Sequence, residues 1–578
     1  MQSYIKNHKL EIIIVSLITL LALVLRLIAL HNFGEFWIDE IFSSYFACKN
    51  SAIDVVKSLY TEDLHVPLYF VLLHYWTKLF GNSETTMRLM GCIISTLSVP
   101  AVFYVIKDLF KNKFSAAISA IFIAFSAFNI HYCVELRFYG MSVLFAIIST
   151  YFFTKYIQNF DRKNITLYII STLLLLYTYN FSFMYVFCQF VVALIYLTIK
   201  ERKQLLKLFL IYFVVGIFYL PVLIMIFSNV FKYNTAILKF VRDVFYFDIT
   251  WFETYFITVF SNLYDQFIMN EPLLNTYYLK HFFKPQMFFG VFLPVFFGLG
   301  GMILGLSKSR LKNKNLFFFI MPALLLFFIQ ILLVTTHALA LIYRYTIITT
   351  TLLLIISVLG YSECAKHRKL CLTCLFIWLF LNISSYFYIT KNHPVLNRKL
   401  IYTINLEPCA KNLDIKNTDI VLMPSNDKLF VKQVPYGKHF DINLYDALYI
   451  GIRPKDIEFV FGKELASLLN RKYAKTYLYK YIVENEPLLD MKNNINNKIF
   501  SKMRNGDRFI IVTDETLKQL KYNQAFLKNS MEAYRRSAIG NTLMAKIISD
   551  MIDFASETLT YKEHIEVSKM FDIYVFEK

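Results

Sequence analysis

The feature that most constrains this chain is a series of apolar runs, each about 20 residues long, that recurs between residues 10 and 390. A helix of about 20 apolar residues is long enough to cross the hydrocarbon core of a bilayer. With 57% hydrophobic residues and a mean hydropathy of +0.48, the chain is more apolar than soluble proteins are. We therefore predict a polytopic α-helical membrane protein with eleven spans. They are 10–30, 87–106, 114–130, 138–156, 164–179, 182–199, 205–228, 286–306, 315–335, 342–360 and 369–390.

The first run follows Lys6 and Lys9, as the apolar region of a signal peptide would. It is too long for such a region, and no clear small-residue cleavage site follows it. We therefore expect the first run to remain in the protein as an uncleaved span.

Lysine and arginine are concentrated in alternate connections between the predicted spans. The short intervening connections hold a single basic residue, Arg137. Because cytoplasmic loops are enriched in Lys and Arg, we predict a cytoplasmic N-terminus and a cytoplasmic-membrane location. The net charge of +19 then reflects topology rather than nucleic-acid binding. The basic loops are 107–113, 155–163, 200–207, 307–314 and 361–369.

The predicted outer segments are 31–86, 229–285 and the chain from residue 391. Within the first, residues 64–80 are apolar but interrupted by polar residues, so we expect a helix on the membrane surface and another within 36–60. The aromatic-rich loop 229–285 should also lie at the interface.

Residues 391–578 are polar, with short β-like runs separated by helical patterns. We therefore predict two parts, a membrane module (1–390) and a soluble extracytoplasmic α/β domain (391–578). The strand-like runs are 419–423, 508–512 and 572–576, and the helical patterns are 456–471 and 541–554.

Charged residues gather where the chain leaves the predicted spans on the outer side. Charge at a membrane boundary is costly, so this convergence indicates a reaction site. A carboxylate can remove a proton from an acceptor hydroxyl, and arginines bind phosphate through charge-assisted hydrogen bonds. These residue types predict group transfer from an anionic, lipid-linked donor. The residues are Asp39, Glu40, His65, Arg88, Glu135, Arg137 and Arg344.

The motif order resembles GT-C-type membrane glycosyltransferases of the protein-mannosyltransferase kind (family 39), which are related to the lipid A aminoarabinose transferase. Two features depart from the family pattern: Tyr177-Thr178-Tyr179 stands where many relatives have Tyr-Thr-His, and residues 391–578 match no motif. Both departures concern the acceptor more than the reaction type. The matching motifs are Asp39-Glu40, His65-Val66-Pro67, Phe80-Gly81 with Glu84, Arg88-Leu89, Glu135-Leu136-Arg137-Phe138-Tyr139 and Arg344-Tyr345.

This resemblance implies an inverting hexosyl- or pentosyltransferase that uses a polyprenyl-phosphate-linked sugar and modifies a lipid, glycan or protein. Asp39 is the implied base, with Glu40 supporting it, and Arg137 and Arg344 are implied contacts of the donor phosphate. No cofactor is firmly implied, although a divalent cation at Asp39 and Glu40 stays open. Supporting or substrate-binding roles are implied for His65, Arg88, Glu135, Tyr139 and Tyr345.

Other functions remain open from the residues alone. A glycan polymerase or ligase with a diphosphate-linked donor would need a large outer loop, for which 229–285 is a candidate. A transporter of lipid-linked sugars would place its charges near the midplane, often in repeated halves. A receptor would sense a ligand through its soluble domain, without needing the acidic pair. These charged residues also have structural explanations. The carboxylates of Asp39 and Glu40 suit a helix N-terminus, and arginines at span ends can extend to the membrane interface.

Overall fold

The structure of the chain is a computed structural model. It describes residues 2–32, 38–62, 65–232, 252, 255–257, 259–260, 288–307, 312–335, 343–364, 367–392, 420–422, 496–497, 500–513, 549–550, 552–566 and 572–578.

The described part of the membrane module is helical throughout. A π-helical turn, Phe288–Phe292, precedes α13, and a 3₁₀ turn, Tyr343–Thr346, precedes α15. The α-helices are α1 (Gln2–Asn32), α2 (Ile38–Ala47), α3 (Ala52–Glu62), α4 (Leu68–Phe80), α5 (Glu84–Thr96), α6 (Ser98–Phe110), α7 (Lys113–Phe125), α8 (Ala127–Val134), α9 (Tyr139–Asn159), α10 (Arg162–Thr178), α11 (Ser182–Lys200), α12 (Leu205–Lys232), α13 (Leu293–Gly305), α14 (Lys314–Thr335), α15 (Ile347–Ser362) and α16 (Arg368–Asn392).

Seven helical stretches in the described residues are long and apolar enough to cross a membrane. The bent pair α7 and α8 forms an eighth candidate. The chain is thus a multi-pass membrane protein, as predicted, but the count of eleven spans is not confirmed. Two predicted spans, 164–179 and 286–306, correspond to helices shorter than the eight candidates. Helix α10 has 17 residues and α13 has 13.

The predicted span 114–130 is divided by a bend of 54°. Ser126 between α7 and α8 has extended backbone angles, and its hydroxyl accepts a hydrogen bond from the backbone N–H of Asn129 at 3.2 Å. A serine in this geometry caps a new helix and satisfies one of its free N–H groups. The apolar run continues through the bend, so hydropathy alone does not detect it.

The predicted break between residues 179 and 182 is confirmed as a boundary between two helices. Helix α10 ends at Thr178, and α11 begins at Ser182.

At the start of α10, the Asp161 carboxylate accepts a hydrogen bond from the backbone N–H of Asn164, which lowers the pKa of that carboxyl group.

A network of ion pairs joins one set of helix ends. Glu11 of α1 accepts from Lys107 of α6 and, at 3.2 Å, from Lys113 of α7. Asp108 of α6 pairs with Lys155 of α9 at 2.7 Å. The start of α1, the α6–α7 connection and the end of α9 therefore share one face, which agrees with the alternation of basic loops.

The described residues of the predicted outer segment 31–86 contain three complete helices, α2, α3 and α4. The expected helix at 64–80 is α4, and the one within 36–60 is divided into α2 and α3. In α4, His74 Nδ1 lies 2.8 Å from the carbonyl oxygen of Ala47, and Trp76 Nε1 donates to the carbonyl of Thr86 at 2.7 Å. These bonds join α4 to α2 and α5. That these helices lie on the membrane surface remains a prediction.

Helices α13 and α15 cross at glycines, and no side chain separates their backbones. A Cβ added at Gly360 would overlap the carbonyl oxygen of Gly301, and one added at Gly301 would overlap that of Ser357. Ser357 also donates its hydroxyl to the carbonyl of Gly298 at 2.7 Å. Small residues permit such close packing between membrane helices, where apolar burial gives little driving force.

We expect Gly360→Ala to lower the free energy of unfolding by about 1–3 kcal/mol, because the added methyl group forces the two helices apart. Thermal unfolding in detergent would measure this change. Gly216→Ala is the matched control, because Gly216 is exposed on α12 and nothing lies within 4 Å of an added Cβ. Equal unfolding temperatures for the two variants would contradict the close crossing.

The polar C-terminal region contains a four-stranded sheet in its described residues. Its order is β1-β2-β4-β3, with β1 parallel to β2 and the other pairs antiparallel. Phe509 pairs with Ile420 on one side and Phe576 on the other, and both phenylalanines are fully buried. The strands are β1 (Ile420–Leu422), β2 (Arg508–Thr513), β3 (Thr560–Glu566) and β4 (Asp572–Glu577).

Three of these strands coincide with the predicted runs, whereas β3 was not predicted. Its sequence, TYKEHIE, is largely charged and polar, because most of its side chains are exposed at the edge of the sheet. The predicted helix 456–471 lies outside the described residues, and of 541–554 only the final residues are described, as helix. An α/β domain at 391–578 therefore remains a prediction.

The chain divides into two units: residues 1–33 with 42–397, and residues 34–41 with 398–578. The first unit contains His65, Arg88, Glu135, Arg137 and Arg344, whereas Asp39 and Glu40 fall within residues 34–41 of the second.

Candidate functional site

Arg137 lies in the short turn between α8 and α9. Helix α8 ends at Val134, and the Arg137 backbone N–H donates to the carbonyl of Glu135 at 2.7 Å, which closes a tight turn. The arginine is only 5% exposed. Burial of a guanidinium is costly unless it is hydrogen-bonded, so this position indicates a specific role for the charge.

The Arg137 side chain is oriented by residues from two other segments. Its Nη1 donates to Ser43 Oγ of α2 at 3.3 Å, and its Nη2 lies 2.7 Å from His65 Nε2. The guanidinium carbon also lies 4.9 Å from the centre of the Phe138 ring, a cation–π distance. The outer segment and the α8–α9 turn, far apart in sequence, therefore meet at this guanidinium.

The contact between Arg137 and His65 determines the tautomer of the histidine. A guanidinium has only donors, so His65 Nε2 must accept the hydrogen bond and its ring proton must be on Nδ1. The His65 ring also lies 5.5 Å from the Phe138 ring and 6.0 Å from the Phe70 ring. In this arrangement His65 orients the arginine.

Arg344 lies in the 3₁₀ turn before α15 and is partly buried. The Tyr345 carbonyl accepts from Gln330 Nε2 of α14 at 3.3 Å and from the Tyr179 hydroxyl at 3.4 Å. The Tyr345 ring packs on Phe181 with 4.5 Å between ring centres. The Tyr179 ring also lies 5.2 Å from the ring of Phe138, which directly follows Arg137, so Tyr179 contacts the residue after each predicted phosphate contact.

The other predicted supporting residues are buried near the same turn. Glu135 Oε1 lies 3.6 Å from His131 Nε2, one helical turn earlier. The Tyr139 ring lies 4.8 Å from Phe138 and 6.0 Å from Tyr179. Both residues are at most 1% exposed and therefore shape the turn from inside.

Arg88 is 2% exposed on α5. One turn later on α5, Gly91 packs closely against the end of α8, where an added Cβ would lie 2.8 Å from the Cys133 carbonyl oxygen. Arg88 thus lies on the helix that supports the Arg137 turn. That Arg88 pairs with Glu40 remains a prediction.

The acidic pair begins α2. Glu40 is fully buried, and for Asp39 the structure describes the backbone, in the first turn of α2, but not the side chain. No group of three or more His, Cys, Asp or Glu among the described residues could hold a metal ion. The side chain of Asp39 is outside that set, so a divalent cation at Asp39 and Glu40 remains a prediction.

An open apolar groove of about 380 Å³ lies beside the His65 segment, between α3, α4 and α10. Its lining includes Pro67, two residues after His65 in the chain, and Tyr177, two residues before Tyr179. The lining residues are Val56, Pro67, Leu68, Val71, Ile170, Leu173, Leu174 and Tyr177. All except Tyr177 have wholly apolar side chains, so the groove suits a hydrocarbon chain.

Several residues of this arrangement were not predicted. Three of them are common polar residues that only tertiary contacts single out: Ser43, Gln330 and Asn180, whose Oδ1 accepts from the Val66 backbone N–H at 3.1 Å. Arg26 was detectable as a charge within the first apolar run. It is 1% exposed and donates to Ser95 Oγ at 3.0 Å and to the Ala22 carbonyl at 3.1 Å.

Comparison with known proteins gives a family match over part of the chain. Residues 64–228 match the family model described as dolichyl-phosphate-mannose-protein mannosyltransferase. The chain resembles these mannosyltransferases. The resemblance predicted from the motifs is therefore confirmed, and the segment that carries it includes His65, Arg88, Glu135, Arg137 and Tyr139.

Among solved structures, the chain is similar to ArnT from Cupriavidus metallidurans bound to undecaprenyl phosphate. The TM-score is 0.49 with 9% sequence identity, and the alignment covers 97% of each chain. No curated protein sequence matches the chain.

Proposed function

We propose that this protein transfers a sugar from a polyprenyl-phosphate-linked donor to a lipid, glycan or protein acceptor at the outer face of the cytoplasmic membrane. The observation that carries the proposal is the buried Arg137, which Ser43 and His65 orient. Pro67, two residues after His65 in the chain, lines an apolar groove. A guanidinium held by His65 and a hydrocarbon-binding groove lined by the same segment suit a phosphate attached to a long apolar chain. The mannosyltransferase match over residues 64–228 supports the same reaction class.

The proposed chemistry is a single displacement at the anomeric carbon. The Asp39 carboxylate takes the proton of the acceptor hydroxyl, and the acceptor oxygen forms a bond to that carbon. The bond between the carbon and the phosphate oxygen breaks, and polyprenyl phosphate leaves with the electron pair. Attack from the face opposite the phosphate inverts the configuration. Arg137 and Arg344 stabilise the charge that develops on the phosphate.

The remaining residues have supporting roles in this proposal. Glu40 assists Asp39 and pairs with Arg88, whereas His65 orients Arg137. Glu135, Tyr139 and Tyr345 maintain the shape of the phosphate site.

The proposed topology has eleven spans and a cytoplasmic N-terminus. The face that joins Glu11, Lys107, Lys113 and Lys155 carries the positive charge expected on the cytoplasmic side. Residues 391–578 then form an extracytoplasmic α/β domain that binds the acceptor.

The proposal can be tested with purified protein in lipid nanodiscs and a panel of sugars linked to polyprenyl monophosphate or diphosphate. Transfer from a monophosphate donor, inhibited by free polyprenyl phosphate, is the expected result. Transfer from diphosphate donors alone would show a polymerase or ligase, and movement of an intact donor across the bilayer would show a transporter. Mass spectrometry of envelope glycolipids and glycoproteins from a deletion strain would identify the acceptor.

Filling the groove should weaken binding of long-chain donors selectively. We expect Leu174→Trp to raise the KM for a long polyprenyl donor by about tenfold, with little change for a donor shortened to two isoprene units, because only the long chain occupies the groove. The matched control is Ile195→Trp, at an exposed apolar position on α11. Equal KM changes for the long and short donors would exclude this groove as the tail site.

A further inference from the structure

The break between α10 and α11 is a buried polar turn to which none of the proposed roles assigns a function. Ser182 holds it closed, because its hydroxyl donates to the Tyr179 carbonyl at 2.5 Å and its backbone N–H donates to the same oxygen at 3.1 Å. Tyr179 is 2% exposed and Ser182 is fully buried. The turn is therefore a fixed support inside the protein.

Two side chains of this turn bond to different segments of the site. The Asn180 Oδ1 accepts from the Val66 backbone N–H at 3.1 Å, directly after His65. The Tyr179 hydroxyl donates to the Tyr345 carbonyl at 3.4 Å, directly after Arg344. The His65 segment and the Arg344 turn are thus both attached to the same short stretch of chain.

The Tyr179 ring also packs against the residues that follow Arg137. Its centre lies 5.2 Å from the Phe138 ring and 6.0 Å from the Tyr139 ring. Phe138 directly follows Arg137, and Tyr345 directly follows Arg344. One tyrosine therefore contacts the turn of each arginine.

A phosphate that binds two guanidiniums requires the backbones that carry them to be held at one spacing. Holding them in place in advance lowers the cost of binding the anion.

We propose that Tyr179 is a positioning residue that holds the Arg344 turn at a fixed spacing from Arg137, so that both arginines bind one phosphate. This rests on the proposed function, since the phosphate is that of the lipid-linked donor. Tyr179 acts through the Tyr345 carbonyl and does not take part in proton transfer.

The Tyr179 hydroxyl can be removed without leaving its hydrogen-bond acceptor unsatisfied. The Tyr345 carbonyl also accepts from Gln330, so Tyr179→Phe removes one donor without leaving this oxygen unsatisfied. The control is Tyr185→Phe, because Tyr185 is also fully buried and its hydroxyl lies 2.6 Å from Thr150 Oγ1, in contacts that do not include the arginine turns.

The experiment measures the affinity of full-length protein in nanodiscs for polyprenyl monophosphate, as a double-mutant cycle with Arg344→Met. We expect Tyr179→Phe alone to weaken binding by about three- to tenfold, as loss of one hydrogen bond would. In the Arg344→Met background the same substitution should have no further effect, because the arginine it positions is gone. Tyr185→Phe should leave affinity unchanged in both backgrounds.

The outcomes separate this inference from the proposed function. If wild-type protein binds the probe but Tyr179→Phe has no effect, or its effect simply adds to that of Arg344→Met, the positioning role is overturned and the proposed function stands. If wild-type protein does not bind polyprenyl monophosphate at all, both are overturned. Thermal unfolding of each variant shows whether reduced affinity follows from misfolding, which would also overturn the positioning role.

Discussion

The Asp39→Asn protein is expected to lose at least about 100-fold in the rate of sugar transfer, because proton removal by a positioned base contributes about that much or more. The amide has nearly the shape of the carboxylate but cannot take the proton of the acceptor hydroxyl. Donor affinity should change little, since the donor phosphate is bound by the arginines. The rate is measured at saturating donor and acceptor, together with the dissociation constant of polyprenyl phosphate.

The matched control for this variant is Asp54→Asn. Asp54 lies in the first turn of α3, in the same outer segment, and accepts a hydrogen bond from the Ser51 hydroxyl at 2.8 Å. The Asp54→Asn substitution should alter the rate of sugar transfer by no more than about twofold, because surface substitutions usually have small effects. Retention of full activity by the Asp39→Asn protein would remove Asp39 from the mechanism.

Arg137→Lys should lower kcat/KM by at least about 30-fold, equivalent to about 2 kcal/mol of transition-state stabilisation. Lysine keeps the charge but cannot contact Ser43, His65 and a phosphate with one planar group. The ammonium also loses the flat contact with Phe138. A loss despite the retained charge would show that the geometry of the guanidinium is needed.

This prediction is checked by steady-state kinetics with varied donor, alongside thermal unfolding in the same detergent. Arg162→Lys is the control, because Arg162 is exposed at the start of α10 on the face predicted to be cytoplasmic. The control should behave as wild type. An Arg137→Lys enzyme with wild-type kcat/KM would contradict a role for Arg137 at the phosphate.

Much of the helical architecture could be predicted, because apolar length and basic loops act locally along the chain. The break after Thr178 was visible as a polar interruption between two apolar runs. The bend at Ser126 was not, because a single capping hydroxyl changes hydropathy little. Strand β3 was missed for a related reason, since an exposed edge strand need not be apolar.

In the candidate site, too, some features could be predicted from the sequence and others could not. Motif order alone selected His65 and Arg137 as candidate site residues, and it predicted the family resemblance that the match over residues 64–228 confirms. It did not reveal that the two side chains bond to each other at 2.7 Å. Nor did it give a role to Tyr179, which was noted only because many relatives have histidine at that position.

The sequence by itself determined that this is a multi-pass membrane protein and which charges lie near span ends, because bilayer thickness and the cost of buried charge act on each stretch separately. Only the tertiary structure decided which of those charges meet. Hydrogen bonds from Asn180 and Tyr179 join segments more than 100 residues apart, and such contacts leave no periodic signal in the sequence. The spacing of Arg137 and Arg344 is therefore a property of the folded chain.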